Sequence, residues 1–326
     1  MPDTLQEQLV KHLTDVHSIE EQALLQMRVA PRMARDPELA QAFRQHIAET
    51  EEQERLVRGR LEAHGADPSR AKDLIARAGG VGMVLFARSQ PDTPGKLVAH
   101  AYSYEHMELA AYELLAIVAQ RAGDSETAEV AGSIRDQEAA MAERLAVGFD
   151  RAVEASLRDI PTDDLSKQLG KYLSDAHAIE SQSLQLLEQA PAIASEPNLK
   201  NVFEDHLEET RSQRAAVEAR LEARGERPSR FKNVVMRVGG LNLGGFFGAQ
   251  PDTPAKLAGF AFAFEHLEIA AYEQLMRVAR RAGDEESARV AERLAREERA
   301  AAAALRAQLE PAMEVALSKQ GVGASG

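Results

Sequence analysis

The chain repeats itself at an offset of 160 residues, and that repeat limits the architectures open to it. DVHSIE at Asp15–Glu20 returns as DAHAIE at Asp175–Glu180, and HIAET at His46–Thr50 returns as HLEET at His206–Thr210. PDTP at Pro91–Pro94 returns at Pro251–Pro254, YEHMELAAYE at Tyr104–Glu113 as FEHLEIAAYE at Phe264–Glu273, and RAGD at Arg121–Asp124 at Arg281–Asp284. The register needs no gap, so the duplicated unit is a whole domain and not a short solenoid repeat. RDIPTDD, Arg158–Asp164, supplies a proline and a helix-start signal at the join. The expected division is one domain over 1–159, a second over 160–319 and a flexible tail over 320–326 (QGVGASG).

Within each copy the pattern is helical, because Ala, Leu, Glu, Gln and Arg dominate and β-branched alternation is scarce. Helix A is expected over Thr4–Ala30, with Leu5, Leu9, Leu13, Val16, Ala23 and Met27 inward. Helix B is expected over Glu38–His64, with Leu39, Phe43, Leu56 and Leu61 inward, closed by Gly65 and Pro68. Helix C follows the Asp-Thr-Pro signal, with Thr93 as N-cap, and runs to Ala122 with Leu97, Ala101, Ala111, Leu115 and Val118 inward. After the Gly123-Asp124 turn, helix D runs to Leu157 with Ala131, Ile134, Met141 and Leu145 inward. The A–B and C–D connections are short, so each pair is an antiparallel hairpin. The B–C stretch over 66–94 holds a short helix and is long enough to cross a bundle. Two hairpins joined by one long crossover is the ferritin-like arrangement, so the expected fold class is all-α, two tandem ferritin-like four-helix bundles.

Composition removes several functions. There is no cysteine, which excludes a disulfide framework, thiolate metal sites and cysteine nucleophiles. A formal net charge of −13 argues against sequence-independent nucleic-acid binding, and no nucleic-acid partner is expected. No apolar run approaches the ~18 residues of a membrane span, so no integral membrane segment is expected. The beginning MPDTLQEQLVKHL lacks an apolar signal core, and a cytoplasmic location fits.

The informative residues are acids within the apolar stripes. Glu20 lies four after Val16 and three before Ala23; Glu49 lies between Phe43 and Leu56, three after His46; Glu105 and Glu108 sit between Ala101 and Ala111; Glu138 lies four after Ile134 and three before Met141. Helical spacing thereby aims a carboxylate from every helix toward the interior. The second copy keeps the set as Glu180, His206, Glu209, Glu265, Glu268 and Glu298. One such Glu alone is ordinarily a solvated edge residue. Four helices each placing one at matched depth, twice, is a different matter, because buried negative charges need compensation and no Lys or Arg shares their stripe. Two iron or manganese ions per copy, held by Glu20, His46, Glu49, Glu105, Glu108 and Glu138 and their counterparts, are the expected answer.

Among the histidines, His12, His64 and His100 become Tyr172, Arg224 and Phe260, whereas His17, His46 and His106 return as His177, His206 and His266. His46 is the best nitrogen ligand. His17 could reach the same centre or hydrogen-bond one of its ligands. His106 points away from Glu105, and a polar contact to another helix or to the sister domain is its ordinary role. Tyr112 and Tyr272, four after Glu108 and Glu268, either hydrogen-bond a ligand carboxylate or pack; Gln53 and Gln213 extend the helix B stripe.

At H-x-x-E-T (His46–Thr50), E-H-x-E-[LI]-x-x-Y (Glu105–Tyr112), the Asp15…Glu20 segment and Glu138, each copy resembles the YciE/YciF-type ferritin-like family of bacterial stress proteins. The resemblance implies a di-metal carboxylate site in each bundle, with the tandem packing as a pseudo-dimer. It implies ferroxidase, peroxidase or manganese-catalase chemistry on hydrogen peroxide, dioxygen or ferrous ion. There are departures: the common Glu-x-x-His order is reversed on helix B, and Met141 and Ala301 stand where helix D would carry histidine. The second copy also changes Tyr104 to Phe264, Glu21 to Ser181 and Glu52 to Ser212. The alternative is a non-enzymatic stress or interaction protein, with GGVGMVLFA (Gly79–Ala87) and GGLNLGGFFGA (Gly239–Ala249) as an apolar docking surface for a partner or membrane, unless they pack the two domains together.

Overall fold

A computed structural model describes residues 4–66, 93–194, 196–227 and 252–319. The glycine-rich segments Gly79–Ala87 and Gly239–Ala249, the short helix expected between helices B and C, and the tail 320–326 lie outside them. The described residues form helices and no strand. In the first copy these are α1 (Leu5–Met27), α2 (Ala30–Met33), α3 (Pro37–Ala63), α4 (Thr93–Arg121), α5 (Ser125–Val147) and α6 (Phe149–Leu157). A 3-10 turn over Thr162–Asp164 leads into α7 (Leu165–Ile193), α8 (Pro197–Ala223), α9 (Thr253–Arg281), α10 (Glu285–Arg306) and α11 (Leu309–Lys319). The chain divides into compact units, one reaching Arg158 and one spanning Asp159–Ala316.

The helix starts are written in short-range chemistry. Thr4 caps α1 in a capping box with Glu7, and Asp36 accepts the Glu38 and Leu39 amides ahead of Pro37 at the first turn of α3. Asp124 accepts the Thr127 amide at the start of α5. Gly65 and Gly123 take positive φ values of 67° and 73° where α3 and α4 end, a conformation that glycine adopts without a Cβ clash.

Cross-helix contacts fix the directions. His17 meets Glu54 and Gln6 meets His64, so α1 and α3 are antiparallel. Arg60 near the end of α3 meets Asp124 and Thr127 at the start of α5, while Glu49 meets Arg144, so α3 and α5 are antiparallel too. Each long helix packs on two others, α1 on α3 and α4, α5 on α3 and α4. It follows that α3 and α4 point the same way, which is the single-crossover topology of a ferritin-like four-helix bundle. The second copy repeats it with α7, α8, α9 and α10.

Three expectations need correction. Helix D is not continuous to Leu157: α5 stops at Val147, and after the break α6 carries on along α4, with Phe149 against Tyr102, burying Phe149, Ala152, Val153 and Ser156, whose hydroxyl accepts the Gly95 amide at the start of α4. A Cβ at Gly148 would lie 2.7 Å from Leu39 Cδ2, yet the second copy breaks at the same place with Gln308, so burial of the following short helix drives the break more than the glycine does. Helix A likewise ends at Met27, with Pro31 in the first turn of the separate α2. Finally, Leu56 is 38% exposed, and Val57 is buried in its place. The inward stripe of α3 is Phe43, His46, Thr50, Gln53, Val57 and Leu61.

No helix among the described residues is long and apolar enough to cross a membrane.

Candidate metal centre

Five polar side chains of the first copy are buried where the four long helices converge: Glu20 from α1, His46 from α3, Glu105 and Glu108 from α4, and Glu138 from α5. Each sits on its helix's inward stripe. Glu138 lies between Ile134 and Met141, and Glu20 between Val16 and Ala23, all of them buried. His46, Glu105, Glu108 and Glu138 each bring one potential ligand atom to within 4.8 Å of the others, a grouping that could hold a metal ion. His46 Nε2 stands 2.9 Å from Glu105 Oε2 and 3.4 Å from Glu138 Oε2. His46 Nε2, Glu105 Oε2 and both oxygens of Glu108 and of Glu138 are buried without a geometrically satisfactory hydrogen-bond partner.

Electrostatics make that grouping expensive. Burial raises the Glu20 carboxyl to about 8, with the Tyr112 hydrogen bond and His46 pulling the other way. Burial and then the neighbouring Glu138 push Glu108 well above the usual carboxylate range; burial and then Glu105 do the same to Glu138. Burial disfavours charge on His46, but Glu105, Glu49 and Glu138 together outweigh it and hold the imidazole well above 6.5. With only the side chains present, one imidazolium faces several acids, and the cheapest state is a partly protonated one.

Glu20 lies outside the four-residue grouping but faces it: its Oε1 accepts from the Tyr112 hydroxyl, and its Oε2 has no hydrogen-bond partner. Burial and then the Glu20 charge raise Tyr112 well above 10, so it stays a donor. Glu49 is set apart. Its side chain is 26% exposed, it lies 3.1 Å from His46 Nδ1, and it pairs with Arg144 at 2.7 Å. The hydrogen bond from His46 and the Arg144 charge hold it down at about 2 against the cost of burial. The structure therefore makes Glu49 the partner that orients the His46 ring and leaves Nε2 turned inward. Gln53 donates to Gln137 at 3.0 Å and to none of the cluster's acids.

The other retained histidines go elsewhere. His106 meets the Tyr102 carbonyl one turn back at 2.7 Å through Nδ1 and packs edge-on to the Tyr102 ring. His17 turns from Glu20 toward α3, where Nε2 meets Glu54 Oε1 at 2.9 Å. Glu54 and Arg144 were not singled out by sequence reasoning. Both lie a helical step off the stripe, and only their cross-helix partners give them meaning.

The second copy assembles His206, Glu265, Glu268 and Glu298 in the same way, with His206 Nε2 2.8 Å from Glu265 and 3.9 Å from Glu298. Burial raises Glu180 to about 8, and it accepts from Tyr272. Two details differ. Ser183, where the first copy has Ala23, donates to Glu268 Oε2 at 3.4 Å. Glu209 is 59% exposed, because Ala304 replaces Arg144. In the first copy an apolar cavity bounded by Ala23, Met27, Phe43, Ala101 and Tyr104 reaches Glu105, so it gives onto the acid cluster.

A family model described as "Domain of unknown function (DUF892)" matches residues 4–158 and again residues 164–318. No solved structure matches the chain.

Proposed function

The chain belongs to the DUF892 family, a family of the ferritin-like superfamily that it carries twice in tandem, and from that premise we propose that each copy holds two iron or manganese ions among its inward acids. The carrying observation is the set of buried carboxylate oxygens left without hydrogen-bond partners in both copies. Glu20, Glu105, Glu108 and Glu138 are four buried carboxylates, and with His46 neutral their formal charge equals that of two divalent cations. Glu20, His46, Glu105, Glu108 and Glu138 would hold the ions of the first copy, and Glu180, His206, Glu265, Glu268 and Glu298 those of the second. Glu49 and Glu209 hold the histidine rings from the Nδ1 side.

When bound, a pair of such ions would supply redox chemistry toward hydrogen peroxide, dioxygen or ferrous ion, one electron from each ion, and an oxidoreductase role in cytoplasmic stress defence is the function proposed here. The residues of the chain define what reaches it. The cavity beside Met27, Phe43 and Tyr104 is small and apolar, which suits a small neutral molecule and excludes a bulky one. Tyr112 keeps its proton and orients one oxygen of Glu20, leaving the other turned to the centre. The resemblance of the E-H-x-E-[LI]-x-x-Y segment to YciE/YciF-type proteins supports the same reading.

Elemental analysis after anaerobic reconstitution with Fe2+ or Mn2+ tests it. About two ions per copy are expected, falling sharply in the double variant Glu138→Gln/Glu298→Gln. A folded wild-type chain holding less than one ion per copy overturns the proposal.

A further inference from the structure

The cavity beside the first acid cluster is bounded by side chains that the second copy does not keep. It lies between α1, α2 and α4, measures about 50 Å3, and reaches Phe43 and Glu105. One water needs roughly 10–15 Å3 on that scale, so a diatomic molecule or a xenon atom has room. Met27, Met33, Phe43 and Leu97 make much of the wall hydrocarbon. A cation crosses such a wall only at a large desolvation cost, and hydrogen peroxide finds few hydrogen-bond partners along it.

His100 and Tyr104 stand one turn apart on α4 and both border the cavity. The Tyr104 hydroxyl donates to the Ile19 carbonyl at 2.9 Å, which holds its ring against α1. The second copy carries Phe260 and Phe264 at these positions, and Leu186 in place of Gln26. Phe264 has no hydroxyl to reach Ile179, and its ring lies against Phe260 with centroids 6.4 Å apart. Burial follows the exchange. Leu97, Ala101 and Tyr104 are half-buried, whereas Leu257 and Ala261 are fully buried and Phe264 is 7% exposed. We propose that a small apolar molecule of the dioxygen class reaches the acid cluster of the first copy through this cavity, and that Phe260 and Phe264 close the same approach in the second. The inference rests on the metal-centre reading and deepens it. It selects dioxygen among the candidate substrates of the first copy and makes the two centres unequal. His46, Glu105, Glu108 and Glu138 have their counterparts in the second cluster, so access and not the donor set separates the copies.

Xenon, an apolar probe that needs no bound metal, tests the route. Crystals of the full chain are pressurised with xenon, and the atoms are located by anomalous scattering. A xenon atom is expected beside Met27 and Phe43, and none beside Leu187 and Phe203. The double variant His100→Phe/Tyr104→Phe, which borrows residues the second copy already accommodates, is expected to lose the first position. The reciprocal Phe260→His/Phe264→Tyr is expected to gain the second. Circular dichroism checks that both variants are folded. Xenon in neither copy, equal xenon in both, or folded variants that leave the pattern unchanged overturn the proposal. In the chain reconstituted anaerobically with Fe2+, stopped-flow mixing with dioxygen is expected to oxidise half of the bound iron several-fold faster than the rest, and His100→Phe/Tyr104→Phe is expected to remove the fast half. A single phase in the wild type also overturns the proposal. Failure of the central reading is seen separately, as loading below one ion per copy, and leaves the xenon positions to decide on the route.

Discussion

Acidifying the metal-free chain should make it more stable, against the usual behaviour of carboxylate-rich proteins. Glu20 and Glu180 each have a carboxyl that burial raises from 4.5 to about 8. A carboxyl raised by folding contributes its full stability below pH 4.5, where both states are protonated, and loses it as the pH climbs toward 8. At pH 7 the folded carboxyls are still mostly protonated while those of the unfolded chain are ionised. Lowering the pH to 5 removes most of that difference, worth about 2 kcal/mol for each of the two groups. His206 works in the same direction: burial opposes its charge, Glu265 and Glu209 together outweigh that, and the imidazole is pushed up to about 10. Its stabilisation is fully present below 6.5 and fades as pH rises toward 10. Glu49, held down at about 2 chiefly by its hydrogen bond with His46, has the opposite sign, but its contribution is lost only below about pH 4.5. Urea denaturation of the chelator-treated chain, followed by circular dichroism at pH 7, 6 and 5, should show the midpoint rising as the pH falls. The metal-loaded chain should show the reverse, because protons and cations compete for the same oxygens. A metal-free midpoint that stays level or drops from pH 7 to 5 would mean these acids are solvated, and the reasoning would fail with it.

Further perturbations separate the parts. Tyr112→Phe leaves Glu20 Oε1 buried without its donor and should cost about 1–3 kcal/mol in the metal-free chain at pH 7, read by the same denaturation. Asp124→Ala removes an N-cap and the acceptor shared by Arg60 and His64; a loss of about 2 kcal/mol is expected, with a comparable loss for Asp284→Ala, which meets Arg220 and Arg224. Because interactions in the folded state hold Asp124 well below its usual range despite burial, its contribution is present at neutral pH and fades progressively as the pH falls below about 4. Leu56→Ser should change stability by no more than about 0.5 kcal/mol, whereas Val57→Ala should be clearly destabilising by thermal melting.

The contrast between Leu56 and Val57 shows where sequence reading loses resolution. Phe43 and Leu61 are eighteen residues apart, five full turns at ~3.6 residues each, and both are buried. The positions between them on the same face are His46, Thr50, Gln53 and Val57, only one of them apolar. Taking the large Leu56 as an anchor turns the helix by one residue, about 100°, and carries Glu49 inward with it. On α1 and α5 no such ambiguity arises, because Val16 and Ala23 bracket Glu20 and Ile134 and Met141 bracket Glu138. The fold was legible for a related reason: duplication, connection lengths and Gly65, Pro37 and Asp124 at helix ends are local signals. The partners of His17 and Glu49 were not, since they lie 37 and 95 residues away on other helices and depend on how far one helix slides past the next. A buried stripe tells which acids face inward. It cannot tell which of them meet a neighbouring helix at its rim, and that is where Arg144 draws Glu49 out of the cluster and Glu54 draws His17 away from Glu20.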